Sequence, residues 1–132
     1  MSGVGENRRD GLSKTTIIVE FETHDGRDAE FRALMTDHAR RTRNEEPGCL
    51  SFDVVEPFEI DGTSVRNRVL LIEVYADDAA IAAHEQNPRL HAVREASKVL
   101  IKSRRRLVAT RVGDEAEDEG MTPDQLNAAN DG

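Results

Sequence analysis

Residues Val69–Tyr75, VLLIEVY, constrain the fold most: seven residues of mainly branched aliphatic character, too short for a free-standing helix and well shaped for a buried strand. Side chains alternate along a strand, so Leu70, Ile72 and Val74 share one face while Val69, Leu71, Glu73 and Tyr75 share the other. Both faces are apolar, so both need a cover. Glu73 and Tyr75 then sit side by side on an otherwise greasy surface. A carboxylate there is costly unless paired or hydrogen-bonded, and burial pushes its pKa up. The alternative reading is an edge position from which Glu73 reaches water, and periodicity alone leaves both open.

Other elements follow from spacing and caps. Thr15–Thr23 alternates Ile17, Val19 and Phe21 against Thr16, Ile18, Glu20 and Glu22, a strand with one strongly apolar face. From Asp28 to Arg43 the positions Phe31, Leu34, Met35, His38, Ala39 and Thr42 recur at helical spacing, which puts His38 on the inward stripe. A histidine there is either a core residue bonded to a carbonyl or a base facing a pocket. Pro47-Gly48 stops the helix. Cys49–Glu56 reads as a second strand with Leu50, Phe52 and Val54 on one face. Asp61-Gly62 marks the tip of a long hairpin. Asp77 or Asp78 caps a helix that carries His84, and Asn87-Pro88 restarts it from Arg89 to about Ile101 with Leu90, Val93, Ser97 and Leu100 inward. Arg104–Val112 is the last strand.

Charge is placed unevenly. Residues 113–132 carry seven of the 26 acids and no Lys or Arg, leaving 19 acids against 18 bases in the rest. The body is nearly neutral, which argues against nucleic-acid binding, and the basic run Lys102, Arg104, Arg105, Arg106 reads as a solvated or dimer-edge strand start. The single cysteine, Cys49, has no internal disulfide partner and no base beside it, so an inert, partly buried thiol is expected. Without an apolar leader or a membrane-length run, the expectation is a soluble cytoplasmic protein that touches no membrane. Residues 1–13 and 113–132 are expected to be disordered, with Thr122-Pro123-Asp124-Gln125 offering a capping box for a short helix over 123–129, and 14–112 to form one domain.

The order strand, helix, strand, strand, broken helix, strand predicts a ferredoxin-like α+β domain, βαββααβ, with helices on one face of a four-stranded antiparallel sheet. The other face, apolar along the third strand, is expected to be buried in a homodimer.

Glu46-Pro47-Gly48-Cys49-Leu50 leading into Ser51-Phe52-Asp53-Val54, then Glu73-Val74-Tyr75, Ala83-His84 and Asn87-Pro88, resembles the antibiotic biosynthesis monooxygenase family of dimeric α+β barrels over about residues 15–112. That group includes cofactor-free quinol monooxygenases and an isomerase that degrades phosphorylated autoinducer-2. The resemblance implies an intrasubunit cavity with His38, Tyr75 and Glu73 as catalytic residues and His84, Phe52, Leu71 and Met35 against the substrate. It implies a monooxygenase that acts on a small quinol-like or dicarbonyl molecule, with dioxygen as co-substrate and no cofactor; no carboxylate or cysteine completes metal-ligand spacing with His84 and His91, so no metal site is expected. The alternatives are an isomerase of the same proton-transfer type and a non-enzymatic dimer that binds a small ligand. In this scheme His38 is the base, Tyr75 the donor to the resulting anion, and Glu73 orients one of them. The chain departs from several oxygenase members in having no tryptophan for the cavity, with Tyr75 standing where an aromatic is expected.

Overall fold

A computed structural model describes residues 10–112. The elements are β1 (Thr15–Thr23), α1 (Asp28–Glu45), β2 (Cys49–Val55), β3 (Arg68–Tyr75), α2 (Asp78–Glu85), α3 (Pro88–Ser97) and β4 (Ile101–Thr110). The strands form one antiparallel sheet in the order β2-β3-β1-β4. This is the ferredoxin-like α+β architecture, with β1 and β3 at the centre. The capping-box residues 122–125 lie outside the described residues.

The two central strands bury alternate side chains against the helices. Ile17 pairs with Glu73, Val19 with Leu71 and Phe21 with Val69, and all six are buried. Phe31, Met35, His38, Ala39 and Thr42 of α1 close over them at the spacing of one helical face. Phe31 and Phe52 are fully buried, each stabilising the fold by about 2 kcal/mol through removal of apolar surface from water. The Phe21 and Phe31 rings meet at 4.8 Å, which joins the sheet to α1.

Four local details differ from the sequence reading. Leu50 was expected inward beside Phe52, yet it is 49% exposed while Cys49 is buried. The register slips between Cys49 and Ser51, so Leu50 is the extra residue of a β-bulge and the alternation is reset before Phe52. The helix after Asn87-Pro88 ends at Ser97 rather than near Ile101, and β4 begins at Ile101 rather than Arg104. Nearly every residue of β4 is solvent-exposed, including Leu107 and Val108, because it is an edge strand beyond the reach of the helices. Asp10–Ser13, part of the terminus expected to be disordered, is instead ordered locally: Asp10 Oδ1 accepts from the amides of Leu12 and Ser13 at 2.9 and 3.2 Å. Gly11 O then accepts from the amide of Asp78 at the start of α2.

Gly48 lets β2 leave α1 underneath α2. A Cβ at this position would collide with the Cβ of Ala80, while Gly48 O accepts from the amide of Ala76 at 2.9 Å. The contact is backbone-anchored on one side and a short methyl on the other, so neither can give way. Gly48→Ala is expected to cost about 2 kcal/mol in chemical denaturation, and an unchanged denaturation midpoint would show that α2 is looser than drawn.

Among the described residues no helix covers the opposite face of the sheet. Ile18, Leu70, Ile72 and Val74 lie there half-buried, beside exposed Leu107. Among the described residues no helix is long and apolar enough to cross a membrane.

Candidate active site

Between the sheet and the helices lies a hollow in which water-sized spheres have about 50 Å³ of free space. A single water needs roughly 10–15 Å³ on such a measure, so a few waters or a small fragment fit without rearrangement. Ile17, Val19, Phe21 and Leu71 form its apolar floor and Met35 its wall. His38, Glu73 and His84 are ionisable side chains that line it beside these. Its β4 side is lined by Arg104 and Arg106, both exposed, so the hollow opens there.

His84 comes from the last turn of α2, a helix set in place by Asp77, whose side chain accepts from the amide of Ala80 at 2.9 Å. Its Nδ1 lies 2.9 and 3.0 Å from the two carboxylate oxygens of Glu46. A carboxylate only accepts, so Nδ1 carries a proton and Nε2 is the nitrogen left with a lone pair in the neutral ring. Asn87 secures the acid, donating from Nδ2 to Glu46 Oε2 at 3.0 Å while its Oδ1 accepts from the amide of Arg89 as the cap of α3. Nε2 of His84 has no hydrogen bond among the described residues. It is not sealed off either, because the one buried side-chain polar atom without a partner there is Arg89 Nε.

His38 has the opposite polarity. Arg89 Nη1 donates to His38 Nδ1 at 2.9 Å and to Thr42 Oγ1 at 3.0 Å. A guanidinium only donates, so Nδ1 is the acceptor and Nε2 bears the hydrogen. Burial, then the neighbouring His84 and the cations Arg89 and Arg94, push the His38 pKa down to about 4. At neutral pH it is therefore an uncharged hydrogen-bond donor through Nε2. The His38 and His84 rings stand 5.6 Å apart, and Phe52 packs edge-on against His38 at 5.4 Å, fixing the pair from behind.

Glu73 is buried, which settles the question that periodicity left open. Tyr75 Oη donates to Glu73 Oε1 at 2.7 Å. Burial raises the Glu73 pKa, while the bond from Tyr75 and the charges of His84 and Arg106 pull the other way. Burial and the adjacent Glu73 carboxylate hold the Tyr75 phenol protonated well above its ordinary range. The Cys49 thiol is likewise pushed up to about 11 by burial and by Glu46, so it stays protonated and unreactive. Among the described residues no three His, Cys, Asp or Glu side chains converge to hold a metal ion.

The antibiotic biosynthesis monooxygenase family model matches residues 15–96, which is most of the described domain. The chain belongs to that family. A search of curated proteins finds no match. Several solved structures share the fold. A Mycobacterium tuberculosis protein superposes with a TM-score of 0.66 at 24% identity, covering 78% of this chain and 99% of its own. A Pseudomonas aeruginosa protein reaches 0.66 at 18% identity over 78% and 98%. SnoaB, a cofactor-independent oxygenase from Streptomyces nogalater, reaches 0.64 at 19% identity over 78% and 97%.

In this family member the hollow brings together five of the seven expected site residues: His38, Glu73, His84, Leu71 and Met35. Tyr75 and Phe52 are fully buried outside its lining. Tyr75 reaches the hollow through Glu73 and through the His84 ring, 5.3 Å from its own, and Phe52 through the histidine rings it supports. Glu46 and Arg89 were missed. Both carried a signal: Glu46 puts an acid at the C-terminal end of α1, and Arg89 puts a cation in the first turn of α3, each against the helix dipole. A charge at the wrong end of a helix is held there by something else: the His84 imidazole for Glu46, and for Arg89 the His38 imidazole together with the Glu45 and Glu46 carboxylates at 3.4 and 3.5 Å.

Proposed function

We propose that this protein is a cofactor-independent monooxygenase that takes a small quinol-like or dicarbonyl substrate and begins by removing a proton from it. The observation that carries the reading is the inverted pair of imidazoles. His84 has a carboxylate on Nδ1 and a free Nε2, the arrangement of a general base, while His38 is a neutral donor. The base role passes from His38, whose Nδ1 is occupied by Arg89, to His84. His38 Nε2–H takes the donor role first assigned to Tyr75, stabilising the phenolate or enolate oxygen as charge develops on it.

When His84 accepts the proton it becomes an imidazolium between Glu46 and the buried Glu73. Tyr75 holds Glu73 by its hydrogen bond and so acts as a positioning residue. The electron-rich anion then passes one electron to dioxygen. The two radicals combine to a carbon–oxygen bond, and loss of water from the resulting peroxide leaves a carbonyl on the substrate. The apolar floor and the Met35 wall of the hollow limit the water that reaches the radical pair.

An oxygen electrode with a panel of hydroquinones, hydroxyquinols and 1,3-dicarbonyls tests this. Stoichiometric oxygen uptake with product formation is expected from metal-free, flavin-free protein. Turnover without uptake would replace the oxygenase by an isomerase that merely reprotonates the anion elsewhere. Solvent-deuterium exchange into no candidate at all would leave a binding protein.

The same reading includes a homodimer closed across the bare sheet face, where Ile18, Ile72, Val74 and Leu107 otherwise meet water. Sedimentation equilibrium is expected to return twice the chain mass of 14.7 kDa, and a single-chain mass at micromolar concentration would overturn it.

A further inference from the structure

The mouth of the hollow carries more positive charge than the fold requires. Arg104 and Arg106 pair with Phe21 and Val19 of β1, whose side chains face the helices, so these two arginines are on the cavity side of β4 while Arg105 between them is on the other. Both line the hollow. Arg94 lines it too, but its guanidinium is engaged by Glu85 at 3.0 and 3.2 Å. Neither Arg104 nor Arg106 makes an ion pair or hydrogen bond among the described residues, although β1 offers Glu20 and Glu22 on its opposite face. The field of Arg106 reaches the buried Glu73. Two guanidiniums one pleat apart, about 7 Å along the strand, border the hollow that His38 and His84 also line.

From this placement we infer that the substrate carries an oxyanion, a carboxylate or a phosphate ester, on the side away from its reacting hydroxyl, and that Arg104 and Arg106 bind it. Guanidinium forks bind such groups through paired hydrogen bonds. The rest of the body is close to neutral, so the attraction is local to the mouth and not a general surface field. An anion docked there leaves the opposite end of a ring-sized molecule directed inward, toward the imidazoles. Arg104 and Arg106 thereby set orientation as well as affinity. The inference rests on the hollow being the substrate site.

Calorimetric titration with a matched set tests it: hydroquinone, 2,5-dihydroxybenzoate and 4-hydroxyphenyl phosphate. At least one of the two anions is expected to bind about tenfold or more tightly than hydroquinone in the full-length protein, and the tighter of the two names the oxyanion. The preference should vanish in the Arg104→Gln/Arg106→Gln double variant, with the melting temperature unchanged because both side chains are exposed. Equal affinity for all three compounds would overturn the inference, as when acids of a second copy already neutralise the arginines. A preference that survives the double substitution would overturn it equally. Binding is read without turnover, so failure of the oxygenase reading leaves this comparison intact, and failure here leaves oxygen uptake untouched.

Discussion

Replacing His84 by glutamine is expected to lower turnover by about 10²-fold or more, because a side-chain amide cannot accept the proton that the first step removes. The substitution keeps volume and a polar end against Glu46, so folding should survive. Glu46→Gln retains an acceptor for Nδ1–H but removes the charge that stabilises the imidazolium, and a loss of roughly tenfold or more is expected, as for other carboxylate–histidine pairs. His38 discriminates between the two possible roles. As a donor it is replaceable by glutamine, whose amide also presents N–H, so His38→Gln should keep activity within about tenfold while His38→Ala loses about 10²-fold. As a base it would be lost equally in both variants. Steady-state rates for the four variants on one accepted substrate decide the matter. Full activity in His84→Gln would remove the proposed base, and equal loss in His38→Gln and His38→Ala would return that role to His38.

The fold was largely legible in the sequence because strand alternation and helix caps are local signals. Ile17, Val19 and Phe21 against Leu71 and Glu73 needed only a period of two, and Asn87-Pro88 announced α3 by its own chemistry. The bulge at Leu50 was not legible, because an inserted residue is defined by the partner strand opposite it. The site was half legible for the same reason. His38 and His84 could be assigned to inward faces, but the identity of each nitrogen depends on residues distant in the chain. Glu46 meets His84 across 38 positions, and Arg89 meets His38 across 51. Local pattern finds which side chains enter a cavity. Only tertiary contacts say which nitrogen of each histidine donates a hydrogen bond and which accepts one.

That division of labour has a thermodynamic signature. His38 stays neutral in the native state down to about pH 4, whereas in the unfolded chain it takes up a proton below its ordinary value of 6.5. Between those limits the unfolded state binds more protons than the native one, so stability rises with pH. The contribution of neutral His38 is complete above about pH 6.5 and drains away as pH falls toward 4. At about 1.4 kcal/mol per unit it amounts to about 3 kcal/mol over the window. Glu73 works in the opposite sense. Its native pKa is raised, so its contribution is full below the ordinary glutamate value and is lost as pH rises through the raised one. The wild-type curve alone mixes the two. Urea denaturation of wild type and His38→Gln, compared at pH 7 and at pH 4, isolates the histidine, because glutamine accepts from Arg89 at every pH without taking a proton. The wild-type advantage over His38→Gln is expected to shrink by about 3 kcal/mol between the two conditions, with a Glu73→Gln comparison moving the other way. A pH-independent difference between wild type and His38→Gln, or an NMR titration of His38 with a midpoint near 6.5, would mean that the ring is solvated. The uncharged donor on which the proposed chemistry depends would then be absent.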